Sequence, residues 1–168
     1  MDANTFPSAN EAISWAMRRL ETPILTKSTI YAMGRKRAIF EWMPDMTPWE
    51  KVAEAVYILK AIQRNCTPLE SLVLETYFFG GTNANAQVLA KRIGRELHRD
   101  RWFTLDIIQA WARERPRHTV KWWGRKYGVG PSTISCWKIE IEEKVGLILQ
   151  AALIGANHAL QESGHVSW

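Results

Sequence analysis

Little in this sequence points to a covalent staple, a metal centre or a catalytic phosphate loop. It has two cysteines, Cys66 and Cys136, far apart and with no other Cys or His near them at ligand spacing. That excludes a disulfide framework and a zinc knuckle built from this chain alone. The four histidines (His98, His118, His158, His165) are scattered, without carboxylates at triad or ligand spacing. YFFGG and GVG lack the surroundings of a phosphate loop. Glu142 and Glu143 are adjacent, so on a helix they would point about 100° apart, as solvated surface does. No group is left to carry a reaction, and the expectation is a non-enzyme with no cofactor and no metal. No run is long and apolar enough for a membrane span. The N-terminus is acidic before it is apolar and has no signal-peptide core. The chain therefore reads as cytoplasmic, with no membrane partner. Strand signals are nearly absent, STIYAM at 28–33 being the one candidate.

What the sequence has is apolar surface and helix signals. At 168 residues, 46% apolar with seven prolines, it reads as a folded chain of one domain or slightly more. Nine tryptophans are several times the usual share, and they read as core or interface residues, with base-stacking platforms as the alternative. The fold class expected is all-α. Ser8 with Glu11, Thr47 with Glu50 and Thr67 with Glu70 are three capping boxes, each opening a helix. The first helix places Ile13, Met17 and Leu20 inward; the second Val52, Val56, Leu59 and Ile62; the third Leu72, Val73 and Tyr77, stopping at Gly80-Gly81. Leu89, Ile93 and Leu97 mark a fourth helix, and Thr104 caps a fifth that ends near Pro116. The organisation expected is an N-terminal helical region at 1–66, a DNA-binding domain at 67–163 carrying a basic insertion at 82–118, and a mobile tail from 164 to 168.

Residues 119–138, TVKWWGRKYGVGPSTISCWK, have the spacing of a helix-turn-helix. Val120, Trp123 and Tyr127 share one helical face. Gly124 is small where a second helix must approach closely, and Gly128 ends the first helix in a left-handed conformation. Val129 plugs the turn, Gly130 serves as N-cap, and Pro131 suits the first helical position. Ile134, Trp137 and Ile141 give the second helix its buried stripe. Two packed helices joined by a glycine turn, without DNA, are the bland alternative. The stripe continues through Val145, Ile148, Ala152, Gly155 and Ala159, a seam suited to the protein's own N-terminal helices or to a partner helix, with a break or bend expected near Gly155.

The net charge of +5 is unevenly spread. Residues 1–90 are balanced, residues 91–127 carry eleven basic groups against four acidic, and residues 128–168 are slightly acidic. Basic charge beside a helix-turn-helix is the footprint of phosphate contact, a solvated charged face being the alternative. Lys121, Arg125 and Lys126 lie on the outer face of the first helix, the one that crosses the backbone in such motifs. Arg117 precedes them in a run with Arg113 and Arg115. On the second helix Ser132, Thr133 and Ser135 are placed for DNA readout, and Lys138 for a phosphate. Hydroxyls discriminate bases poorly, so direct readout should be modest and helped by DNA shape or a second protein. Lys91, Arg92, Arg95, Arg99 and Arg101 form a second basic patch, suited either to another length of DNA backbone or to an acidic partner.

Two passages carry a resemblance. LESLVLETYFFGG at 69–81 resembles the helix preceding the helix-turn-helix of sigma-factor region 4 and of Q-type phage late antiterminators. GRKYGVGPSTISCWKIEIEEKVGLILQAAL resembles the Q-type unit more closely, including its long Ile/Leu-rich continuation. Together they cover about half the chain. The departure is large: residues 82–118 separate passages that shorter relatives join almost directly, and the longer, AlpA-like prophage regulators fit best. The resemblance implies a transcription antitermination factor that binds double-stranded DNA near a late promoter. It would engage RNA polymerase, and its sigma factor as well, to suppress termination of downstream lysis or late genes. Ser132, Thr133 and Ser135 would then read DNA while Lys121, Arg125 and Lys126 clamp phosphates. No motif carries over for the polymerase contact. Two other readings compete: a helix-turn-helix repressor or activator self-associating as a dimer through the seam from Val145 to Ala159, and a small packaging (terminase) subunit of a phage.

Overall fold

The computed structural model describes residues 5–21, 45–79, 84–112 and 117–166. The candidate strand at 28–33, the glycine pair at 80–81, Arg113, Arg115 and Pro116 lie outside them. Among the described residues the fold is all-helical. It runs α1 (Ala9–Glu21), α2 (Pro48–Asn65), α3 (Pro68–Phe79), α4 (Ala84–Glu96), α5 (Arg101–Trp111), α6 (Val120–Tyr127) and α7 (Pro131–Glu162). The one extended pairing among them is an isolated bridge between Phe6 and Val166.

Two of the capping boxes close in both directions, and the third forms its Ser8 half. Thr47 N–H donates to the Glu50 carboxylate at 2.7 Å and Glu50 N–H to the Thr47 hydroxyl at 3.3 Å. Thr67 and Glu70 repeat this pair at the same two distances. Glu11 N–H donates to the Ser8 hydroxyl at 3.3 Å. The hydroxyl and backbone of Thr47 hold the Glu50 carboxyl below its ordinary value, because both hydrogen bonds favour the charged form.

The chain divides into two compact units. One comprises Met1–Asn65 and Leu153–Trp168 and contains α1, α2 and the end of α7. Its core includes Phe6, Ile13, Met17, Ile58, Ile62 and Leu160. Three expectations are corrected in this unit. Leu20, read as inward on α1, is exposed. The inward face of α2 is Ala55, Ile58 and Ile62, with Val52, Val56 and Leu59 only half-buried, a rotation of about one residue. The expected mobile tail is packed at least as far as Val166. Phe6 N–H donates to the His165 carbonyl at 2.8 Å, His165 Nε2 lies 2.5 Å from a Glu54 carboxylate oxygen, and Val166 is buried. Backbone pairing with the N-terminal segment gives these last residues partners that periodicity cannot register.

The other unit is Cys66–Ala152. Its core joins Val73 of α3, Leu89 and Ile93 of α4, Phe103 and Ile108 of α5, Trp123 of α6, and Ile134, Ile141 and Val145 of α7. Helix α5 begins at Arg101 rather than behind Thr104. Asp100 is its N-cap, accepting from the N–H groups of Trp102 and Phe103 at 2.9 and 3.0 Å. Thr104 is buried inside the helix and turns its hydroxyl back to the Asp100 carbonyl at 2.8 Å, the other use a helical threonine has for its oxygen.

Helix α7 is continuous, and the expected break near Gly155 is absent. Each interior glycine costs about 1 kcal/mol relative to alanine, whereas each large apolar side chain buried along the helix contributes about 1.5–3 kcal/mol. Ile134, Ile141, Val145, Ala152, Ala156, Ala159 and Leu160 are all buried, so the seam outweighs both glycines.

Candidate nucleic-acid interface

Helices α6 and α7 form the helix-turn-helix. Thr119 caps α6 by accepting from Trp122 N–H at 3.2 Å. Gly128 ends it at φ 67, ψ 28, in the left-handed region that favours glycine. The N–H of Val129 donates to the Gly124 carbonyl at 3.0 Å. A Cβ on Gly124 would stand 2.9 Å from the Val129 carbonyl oxygen, and the next nearest side-chain atom is Ile134 Cγ1 at 3.8 Å. The turn therefore closes over Gly124, as the steep crossing requires. The carbonyl of Gly130 accepts from Thr133 and Ile134, starting α7.

Aromatic rings hold this pair against α5. The Phe103 ring meets those of Trp123, Tyr127 and Trp137 edge-on, with centroids 5.2, 6.2 and 6.1 Å apart. Burial, followed by the nearby Asp100 charge, pushes the Tyr127 phenol well above its usual range, so it is neutral at any working pH. Tryptophan use is divided. Trp123 and Trp15 are buried, Trp111 and Trp137 half-buried, and Trp49, Trp102 and Trp122 exposed.

Sequence reasoning missed Asp106. This carboxylate is only 3% exposed and accepts three N–H groups: Arg117 backbone at 2.6 Å, His118 backbone at 3.1 Å and the Trp123 indole at 2.8 Å. It ties α5, the segment entering the motif and α6 together. His118 in turn stacks on Trp122 with centroids 3.8 Å apart. The available signal was a carboxylate in the apolar run FTLDII, where only paired charge is tolerated.

The candidate contact residues fall into three states. Lys121, Arg125 and the Arg117 side chain are exposed, and among the described residues none has a side-chain partner. Lys126 is exposed, but its ammonium lies over the rings of Trp122, Trp123 and Tyr127 at 5.4, 4.8 and 5.8 Å, so it is held on its own helix. Lys138 is half-buried and 3.5 Å from Glu142, a partly exposed i,i+4 pair of about 0.3–0.5 kcal/mol. Ser132 and Cys136 are exposed at the start of α7, whereas Thr133 and Ser135 are half-buried.

The second patch is smaller than the sequence suggests. Lys91, Arg92, Arg95 and Arg101 are exposed. Arg99 does not share the face of Arg92 and Arg95, because α4 ends at Glu96. Arg99 instead bonds Glu140 at 2.7 Å and stacks over Trp137 at 4.8 Å. Among the described residues no cluster of His, Cys, Asp or Glu could hold a metal, and no helix is long and apolar enough to cross a membrane. The chain matches no protein-family model and no curated protein.

Proposed function

We propose that this chain binds double-stranded DNA through α6 and α7 and acts as a transcription antitermination factor with RNA polymerase as its partner. The observation that carries the DNA reading is the closed turn at Gly124 and Gly128, with Lys121 and Arg125 on the outer face of α6 and unpaired among the described residues. Those cations would hold phosphates while the first turn of α7 enters the major groove. Ser132 is the exposed hydroxyl there, and it discriminates bases weakly. A weak reader selects its site with help, and a polymerase paused at a promoter supplies that help. The antitermination role itself rests on the resemblance of residues 69–81 and 124–153 to Q-type factors.

An operator-binding dimer built on the seam from Val145 to Ala159 is less well supported. Val145, Ala152 and Ala159 are buried by the chain itself, so the seam is not free for a second copy.

The test is transcription in vitro from a phage-type late promoter through an intrinsic terminator, with and without the protein. Increased readthrough is expected. Unchanged readthrough on a template that the protein demonstrably binds would remove the antitermination role and leave a DNA-binding protein.

A further inference from the structure

Two successive helix pairs of this chain are built on one plan, offset by the 30 residues from Gly94 to Gly124. Lys91, Ile93, Gly94, Arg95 and Leu97 occupy the positions of Lys121, Trp123, Gly124, Arg125 and Tyr127. A Cβ on Gly94 would stand 3.0 Å from the Arg99 carbonyl oxygen, five residues on, as one on Gly124 would stand 2.9 Å from that of Val129. In each pair the residue ten positions further on, Thr104 or Ile134, faces the glycine. His98 at φ 54 and Gly128 at φ 67 end the two first helices in the left-handed region. The N–H of Arg99 donates to the Gly94 carbonyl at 2.7 Å, matching Val129 on Gly124 at 3.0 Å. Across 91–100 and 121–130 the sequence of exposed, half-buried and buried positions is identical. Helices α4 and α5 are thus a second helix-turn-helix in the same register.

The two differ where bases would be read. Leu105, Asp106 and Gln109 stand at the register of Ser135, Cys136 and Ile139, and all three are buried, so on that face of α5 the side chain left exposed is Trp102, at the register of Ser132. The outer face of α4 stays open. Lys91 and Arg95 stand at the register of Lys121 and Arg125, Arg92 lies beside them, and among the described residues none of the three has a partner. Glu96, the acidic neighbour, is turned to Lys144. A protein partner would call for an apolar centre on this face, and α4 exposes one large apolar side chain, Val88.

We propose that the α4–α5 pair is a second DNA-contacting unit that grips duplex phosphates without reading sequence, through Lys91, Arg92 and Arg95. The proposal rests on the DNA-binding reading of α6–α7 for its register, and on its own unpaired cations for its charge.

The test uses the full chain and a random-sequence DNA duplex, with binding followed by fluorescence anisotropy over a salt series. Two double variants are compared, Lys91→Ala with Arg95→Ala and Lys121→Ala with Arg125→Ala, each checked for native melting temperature. Loss of two phosphate contacts should lower the salt slope by about two in either variant. The α4 variant should weaken binding to random and promoter duplexes by the same factor, and restoring Lys91 as arginine in that background should recover about half the lost slope. An α4 variant with wild-type slope and affinity would overturn the proposal, and capture of an acidic protein by that face would then be the alternative. Loss in the α6 variant alone supports the function proposed for α6–α7 and removes this one. Loss in the α4 variant alone does the reverse.

Discussion

The indole N–H of Trp123 donates to the buried carboxylate of Asp106 across 2.8 Å. The same carboxylate receives the backbone N–H groups of Arg117 and His118. One residue of α5 thereby sets where the helix-turn-helix begins and which way its first helix turns.

Replacing Asp106 tests that role. Asp106→Ala leaves the Trp123 indole N–H without its acceptor in the core, at a cost of about 1–3 kcal/mol, with more from the two backbone donors. Asp106→Asn keeps one acceptor oxygen and should lose less. Denaturant unfolding of both variants measures the difference, and an alanine variant of wild-type stability would mean that the contact does not hold the motif.

Glycines at different positions should respond in opposite directions. Gly124→Ala places a methyl 2.9 Å from a backbone oxygen, forces the turn to shift, and should cost about 1–3 kcal/mol. Gly146→Ala meets nothing within 4 Å in mid-helix and should stabilise the protein by about 0.5–1 kcal/mol. Thermal unfolding separates them by sign, and a stabilised Gly124→Ala would contradict the close crossing.

For DNA, Lys121→Ala and Arg125→Ala should each weaken binding to every sequence and lower the salt slope by about one. Lys126→Ala should do less, because its ammonium is already held over three aromatic rings. Binding isotherms across a salt series give all three slopes, and a Lys126 effect as large as that of Lys121 would show that this side chain swings out to a phosphate.

The two thiols should also differ. Burial, helped by the Glu70 charge, raises the Cys66 thiol to about 11, whereas Cys136 is exposed near the start of α7. At pH 8 the Cys66 thiolate is scarce, and its reaction should keep accelerating as pH rises toward about 11. A thiol reagent at pH 8 should therefore modify one cysteine quickly and one slowly, with peptide mapping naming Cys136 as the fast one. Protection of Cys136 by bound DNA would place it at the interface.

Local signals carried far in this chain. Thr47, Thr67, Gly128 and Gly130 act through neighbours within a few residues, so spacing alone located those helix starts and the turn. Faces were read less well. On α2 the stripe from Lys51 through Ala55 and Ile58 to Ile62 fits a helix as well as the one through Val52, Val56 and Leu59, and only packing decides between them. Of the candidate contact residues, Lys121 and Arg125 are open as the sequence suggests. Lys126, Arg99 and Lys138 are engaged with rings or carboxylates supplied by other positions.

By itself, then, the sequence determined the all-helical fold of the described residues, the capping boxes and the turn at 128–130, because each depends on short-range backbone chemistry. Tertiary structure alone decided that α7 runs unbroken through Gly146 and Gly155 and that His165 and Val166 are docked. It also decided that Asp106 anchors the motif and that α4–α5 repeats the plan of α6–α7 with Leu105, Asp106 and Gln109 buried on its reading face. Each of these depends on which distant residues come together to bury apolar surface or satisfy a buried donor, and that pairing is set by the fold as a whole.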